Sequence, residues 1–149
     1  MPVRNPALTN PAHILLVDDN ANGLAARKTV LQELGHKVST ATSGADALEQ
    51  FGAHSFDLVV TDYRMPRMDG IELISRLRGQ APALPIVLLS GYAEAAGLAE
   101  SSTGADVVLQ KSANEISHLV RAVNRLLRRK PPRKPVTGQG SPKVKRETV

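Results

Sequence analysis

Five residues of this 149-residue chain set out the chemistry its sequence can offer. Asp18 and Asp19 are adjacent, Asp62 stands within VVTDYRMP, Ser90 precedes a glycine, and Lys111 follows the apolar run VVL by one residue. Three carboxylates brought to one point repel one another unless a cation joins them. Hard oxygen ligands favour Mg²⁺, which completes its shell with water and phosphate oxygens. A carboxylate beside that cation is a usable nucleophile toward a phosphoryl group, and the product is an aspartyl phosphate. An ammonium supplies a point charge to the transferred group, and a hydroxyl can donate to one of its oxygens. Taken singly, each residue has a plainer use. Asp19 or Asn20 could cap a helix, Asp62 could cap a turn before Pro66, Ser90-Gly91 fits a loop, and Lys111 could snorkel to solvent. Only a fold that gathers them makes the chemistry available.

The hydrophobic pattern predicts such a fold. His13 to Val17, Phe56 to Thr61, Pro85 to Ser90 and Val107 to Leu109 are short, nearly continuous apolar runs, as in strands buried on both faces. His36 to Ala41 alternates and reads as an edge strand. Between them lie residues at helical spacing: Leu24, Leu31 and Leu34, then Ala47, Leu48 and Phe51, then Ile71, Ile74 and Leu77. The last helix reads from Ile116, Leu119, Val120, Val123 and Leu127, and Ala93 to Thr103 predicts a thin, weakly held fourth helix. Five strand-helix pairs imply right-handed crossovers and a parallel sheet covered on both faces, a three-layer α/β domain. In such sheets ligands bind beyond the carboxyl ends of the strands. The first strand delivers Asp18 and Asp19 to that edge, and the third, fourth and fifth deliver Asp62, Ser90 and Lys111.

Composition limits the rest. Residues 125–149 hold nine Lys/Arg and one Glu, so of the net charge of +5 the preceding residues carry −3. We read residues 1–11 as a flexible segment, 12–129 as the domain, and 130–149 as a basic disordered tail too poor in apolar residues to fold. The tail has no aromatic residue to stack on bases. No cysteine is present and no run reaches a membrane span, so the cytoplasm is the expected compartment and no membrane association is expected.

The stretches LLVDDN, VVTDYRMPRMDGIEL, VLLSGYAE and GADVVLQK together resemble the receiver domain of response regulators, the phosphoacceptor of two-component phosphorelays. The resemblance covers about 115 residues. It implies a flavodoxin-like sandwich with five helices and strand order 2-1-3-4-5. By position it implies phosphorylation of Asp62, a Mg²⁺ site made by Asp18, Asp19, Asp62 and the backbone carbonyl of Arg64, and contact of Ser90 and Lys111 with the phosphoryl group. Met65, Pro66, Asp69 and Gly70 would shape the loop after the acceptor. The implied partners are a sensor histidine kinase or phosphotransfer protein upstream and a protein target downstream, with a possible homodimer through helix 4, strand 5 and helix 5. The implied role is that of a signalling module and not of an enzyme.

Three departures qualify this. Val108 stands where the family usually has an aromatic residue three positions before its lysine, and Ser112 stands where proline usually follows that lysine through a cis bond. Without proline a cis bond costs on the order of 3 kcal/mol, so a trans peptide is expected. Arg64 and Tyr92 are large side chains expected to shield the phosphoryl group from water. Two other readings stay open: a degenerate receiver acting as a phosphate-independent interaction module, and a Mg²⁺-dependent phosphatase-like enzyme. The second would want an acid two residues after Asp62, where Arg64 stands. The residues after the last helix are too few for a helix-turn-helix module, so no sequence-specific nucleic acid binding is expected and output should be a protein contact.

Overall fold

A computed structural model describes residues 11–91 and 97–129. The readings made for residues 1–10, for Tyr92 with the first part of the thin fourth helix, and for the tail 130–149 lie outside the described residues.

Five strands alternate with helices: β1 His13–Val17, α1 Ala21–Glu33, β2 Lys37–Ala41, α2 Gly44–Ala53, β3 Leu58–Asp62, α3 Gly70–Gln80, β4 Ile86–Ser90, α4 Glu100–Thr103, β5 Val107–Gln110 and α5 Glu115–Arg129. All strand pairs are parallel and the order is β2-β1-β3-β4-β5. The flavodoxin-like sandwich expected from the sequence is therefore the observed fold. Four helices are long, and the fourth in chain order is reduced to four residues among those described. Both β2 and β5 are edges, so the half-buried pattern of β2 and the partly exposed pattern of β5 have the same cause.

The sheet divides the apolar residues by parity. Ile14, Leu16, Leu58, Val60, Val87 and Leu89 pack on one face against Leu24 and Leu31 of α1 and Leu119, Val123 and Leu126 of α5. Leu15, Val17, Val59, Ile86 and Leu88 pack on the other against Ala47 of α2 and Leu73, Ile74 and Leu77 of α3. Each strand thus places alternate side chains in two cores, which is why apolar residues dominate the central strands. Two helix faces differ from the periodic reading. On α5, Ala122 and Leu126 are buried while Ile116, Val120 and Leu127 are only partly so; on α3, Leu73 is buried and Ile71 only partly. Adjacent apolar residues satisfy the helical period about equally well, and the sheet beneath decides which one it covers.

Candidate functional site

The carboxyl edge of the sheet gathers the predicted residues. β1 ends at Val17, so Asp18 emerges at the rim; its amide donates to Ala41 O at 3.1 Å, holding it against β2. Asn20, not Asp19, caps α1, accepting from the Gly23 amide at 3.0 Å, and this keeps Asp19 before the helix and exposed. Asp62 is the last residue of β3, with β1 and β4 on either side, and its side chain is 7% exposed. Asp18, Asp19 and Asp62 each offer a carboxylate oxygen, all within 4.8 Å of one another. This donor set fits a hard divalent cation: three carboxylate oxygens, with one of the three groups exposed.

Lys111 follows β5, its amide donating to Ser90 O at 2.7 Å. Its Nζ reaches across to Asp62 Oδ1 at 2.7 Å and lies 4.0 Å from Asp18 Oδ2. Burial pushes the Asp62 carboxyl above the usual carboxylate range; the Lys111 hydrogen bond opposes this, and the Asp18 charge adds to it. Ser90 is fully buried at the end of β4, where its Oγ donates to Gly91 O at 3.0 Å. Arg64 is exposed two residues beyond Asp62.

The loop from β3 to α3 is built around close approaches. A Cβ on Gly70 would lie 2.3 Å from Asp62 O, so only glycine lets the chain return beside the acceptor. The Gly70 amide donates to Tyr63 O at 2.7 Å, and Asp69 caps α3 through the Glu72 amide at 2.9 Å. Met65 is buried, and Arg67 is held at φ 72°. The Lys111–Ser112 peptide is trans, as the absence of proline predicts. Val108 packs partly against the α2/α3-side core, and its amide donates to Glu100 Oε2 at 3.3 Å.

Sequence reasoning missed Arg27. Its guanidinium is buried, with Nη1 donating to Asp18 Oδ2 at 2.7 Å and Nε donating to Glu115 Oε2 at 2.5 Å. A signal was present: Arg27 lies three residues after Leu24 and four before Leu31, on the apolar stripe of α1, where a charge requires a buried partner.

A family model described as the response regulator receiver domain matches residues 14–124, and the chain belongs to that family. It is similar to the gliding motility regulatory protein of Myxococcus xanthus, 32% identical over 129 residues that cover 84% of this chain and 16% of that protein. It is also similar to the transcriptional regulatory protein GlrR of Escherichia coli (strain K12), 38% identical over 82 residues that cover 55% of this chain and 18% of that protein. The chain thus spans less than a fifth of the length of either relative. Among solved structures, response regulator TrrA of Thermotoga maritima in complex with Mg²⁺-BeF is similar, with 35% identity and a TM-score of 0.69 over 76% of this chain and 97% of that one. A receiver domain protein of Clostridium thermocellum matches with 28% identity and a TM-score of 0.73 over 79% of this chain and 95% of that one. No helix among the described residues is long and apolar enough to cross a membrane.

Proposed function

We propose that Asp62 is the phosphoacceptor of a two-component phosphorelay, phosphorylated in a Mg²⁺-dependent reaction and read out by protein contact. The observation that carries this is the Lys111 ammonium, 2.7 Å from Asp62 Oδ1, beside carboxylates within 4.8 Å of one another. Negative charge is in excess there, which favours a bound cation, and the ammonium stands where it could turn to an anionic group carried by Asp62. Asp18, Asp19, Asp62 and the Arg64 carbonyl would hold Mg²⁺, which when bound neutralises the charge between acceptor and phosphoryl group. An Asp62 carboxylate oxygen attacks phosphorus as the bond to the donor's leaving group breaks, and that group departs with the electron pair. Lys111 then exchanges Asp62 for a phosphoryl oxygen, and the Ser90 hydroxyl turns from Gly91 O to donate to another.

The donor would be a sensor histidine kinase or phosphotransfer protein, and the site of action the cytoplasm. The readout surface would be α4, β5 and α5, through a protein target or a second copy of the chain. Similarity to sensor protein EvgS of Escherichia coli (strain K12), 42% identical over 82 residues that cover 55% of this chain and 7% of that protein, supports a link to a sensor protein. Incubation with Mg²⁺ and acetyl phosphate, followed by intact mass, tests the reading. A phosphate-sized gain is expected in wild type and not in Asp62→Asn; no gain in wild type, or an equal gain in both, overturns it.

A further inference from the structure

Arg27 joins three elements that the rest of the site leaves separate. It projects from α1, its Nη1 donates to Asp18 at the end of β1, and its Nε donates to Glu115, the first residue of α5. All three side chains are largely buried, at 7%, 2% and 14% exposure for Arg27, Asp18 and Glu115. The other oxygen of Asp18 accepts from the Asn20 amide at 2.9 Å, so both of its oxygens are engaged. The space for the guanidinium is made by Gly23, where a Cβ would lie 3.0 Å from Asp18 Oδ2 and 3.1 Å from Arg27 Nη1. One cation shared between two carboxylates leaves the triad one negative charge in excess, next to a cluster in which the Lys111 ammonium offsets only one of the charges of Asp19 and Asp62.

We propose that Arg27 is a positioning residue that sets the affinity of the acidic cluster for a divalent cation and carries its occupancy to the amino end of α5. It does so by trading its hold on Asp18 against its hold on Glu115. The proposal rests on reading Asp18, Asp19 and Asp62 as a Mg²⁺ site. Without metal the guanidinium compensates Asp18. A divalent cation on Asp18 takes up that carboxylate's charge and repels the guanidinium, whose remaining counter-ion is Glu115. The Arg27–Asp18 bond loosens as the Arg27–Glu115 bond tightens, and the start of α5 follows because Glu115 is its first residue. A planar guanidinium can bond two carboxylates at once through different nitrogens; an ammonium on a shorter reach cannot span them. This route needs neither an aromatic side chain at Val108 nor a proline at Ser112.

The test is a titration of the full-length, ¹⁵N-labelled protein with MgCl₂, following backbone amides by NMR in wild type, Arg27→Gln, Arg27→Lys and Glu115→Gln. In wild type, amides near Asp19 and Asn20 and amides of Ile116 and Ser117 should shift with one dissociation constant. Arg27→Gln removes a like charge and should bind Mg²⁺ about fivefold more tightly, whereas Glu115→Gln returns the whole guanidinium to Asp18 and should bind about two- to threefold more weakly. Arg27→Lys should move the affinity less than Arg27→Gln does, yet lose the shifts at Ile116 and Ser117 while keeping those at Asp19 and Asn20. A purely structural triad would lower stability in all three variants without opposite changes in affinity. If Arg27→Gln does not fold, the other two variants still decide. Affinity changes of the same sign in Arg27→Gln and Glu115→Gln, or α5 shifts that persist in Arg27→Lys, overturn the relay alone. An absence of Mg²⁺ shifts near Asp19 in wild type overturns the metal site and the relay together.

Discussion

Asp62 is held in a conflict that ligands are suited to resolve. Burial and the neighbouring Asp18 raise its pKa, and the Lys111 hydrogen bond only partly offsets them. The folded protein therefore binds this proton more tightly than the unfolded chain, whose carboxyl titrates near 3.8. Between that value and the raised folded one, the native state holds more protons, so stability falls as pH rises and the loss is complete above the folded value. Asp62→Asn removes the titration and should raise the Tm of the metal-free protein by about 2–4 °C at neutral pH, with less or no gain in acid. Thermal melts in EDTA across pH check this, and an Asp62→Asn protein that melts below wild type at neutral pH would refute it. The same residue decides the effect of metal: Mg²⁺ should raise the melting temperature of wild type, and Asp62→Asn, one ligand charge poorer, should gain less.

At the level of elements, the loop from β3 to α3 converts sequence into a fixed acceptor. Asp69→Ala removes the cap bonded to the Glu72 amide and should cost about 1 kcal/mol, measured by urea unfolding. Gly70→Ala should cost more, about 2–4 kcal/mol, because its Cβ would meet the Asp62 carbonyl and force the acceptor strand to move. Equal costs for the two would mean that the close approach relaxes freely. This loop was legible only through the family resemblance of MPRMDG, which gave Asp69 and Gly70 a shaping role without saying which bond or close approach each makes, whereas the parallel sheet was legible because buried strands are continuous apolar runs. The helix faces were read less well. At Leu126 and Leu127 the spacing fits either residue, and only the sheet beneath α5 selects Leu126. Arg27 was missed for a related reason: periodicity counts apolar residues, and a charge buried by Asp18 and Glu115 owes its place to partners 9 and 88 residues away.

Across the whole molecule, the two edges of the sheet carry opposite ionic designs. The carboxyl edge gathers Asp18, Asp19 and Asp62; the amino edge carries two imidazoles, His13 at the start of β1 and His36 just before β2. The His36 ring is buried, its Nδ1 accepting from the Ala12 amide at 3.0 Å, which puts the proton on an Nε2 that has no hydrogen-bond partner among the described residues. Burial lowers the pKa of His36, and burial likewise lowers that of His13. For a lowered imidazole the unfolded chain takes up protons first, below its ordinary value of 6.5, so stability is intact above that value and is lost as pH falls toward the folded one. Acid therefore loosens the edge remote from the acceptor, while a cation acts on the acceptor edge, and effects at separate sites should add. His36→Asn keeps an acceptor near the Ala12 amide and cannot titrate. Urea midpoints of the metal-free protein should fall between about pH 7.5 and about pH 5.5 in wild type and fall less in His36→Asn, with His13 responsible for the remaining slope. Since the Asp62 contribution runs the other way, the double variant Asp62→Asn, His36→Asn should exceed His36→Asn at neutral pH by the gain of Asp62→Asn alone and lose that margin in acid, so that its acid limb is steeper than that of His36→Asn. A double variant whose profile is not the sum of the two would show that the sheet couples its edges.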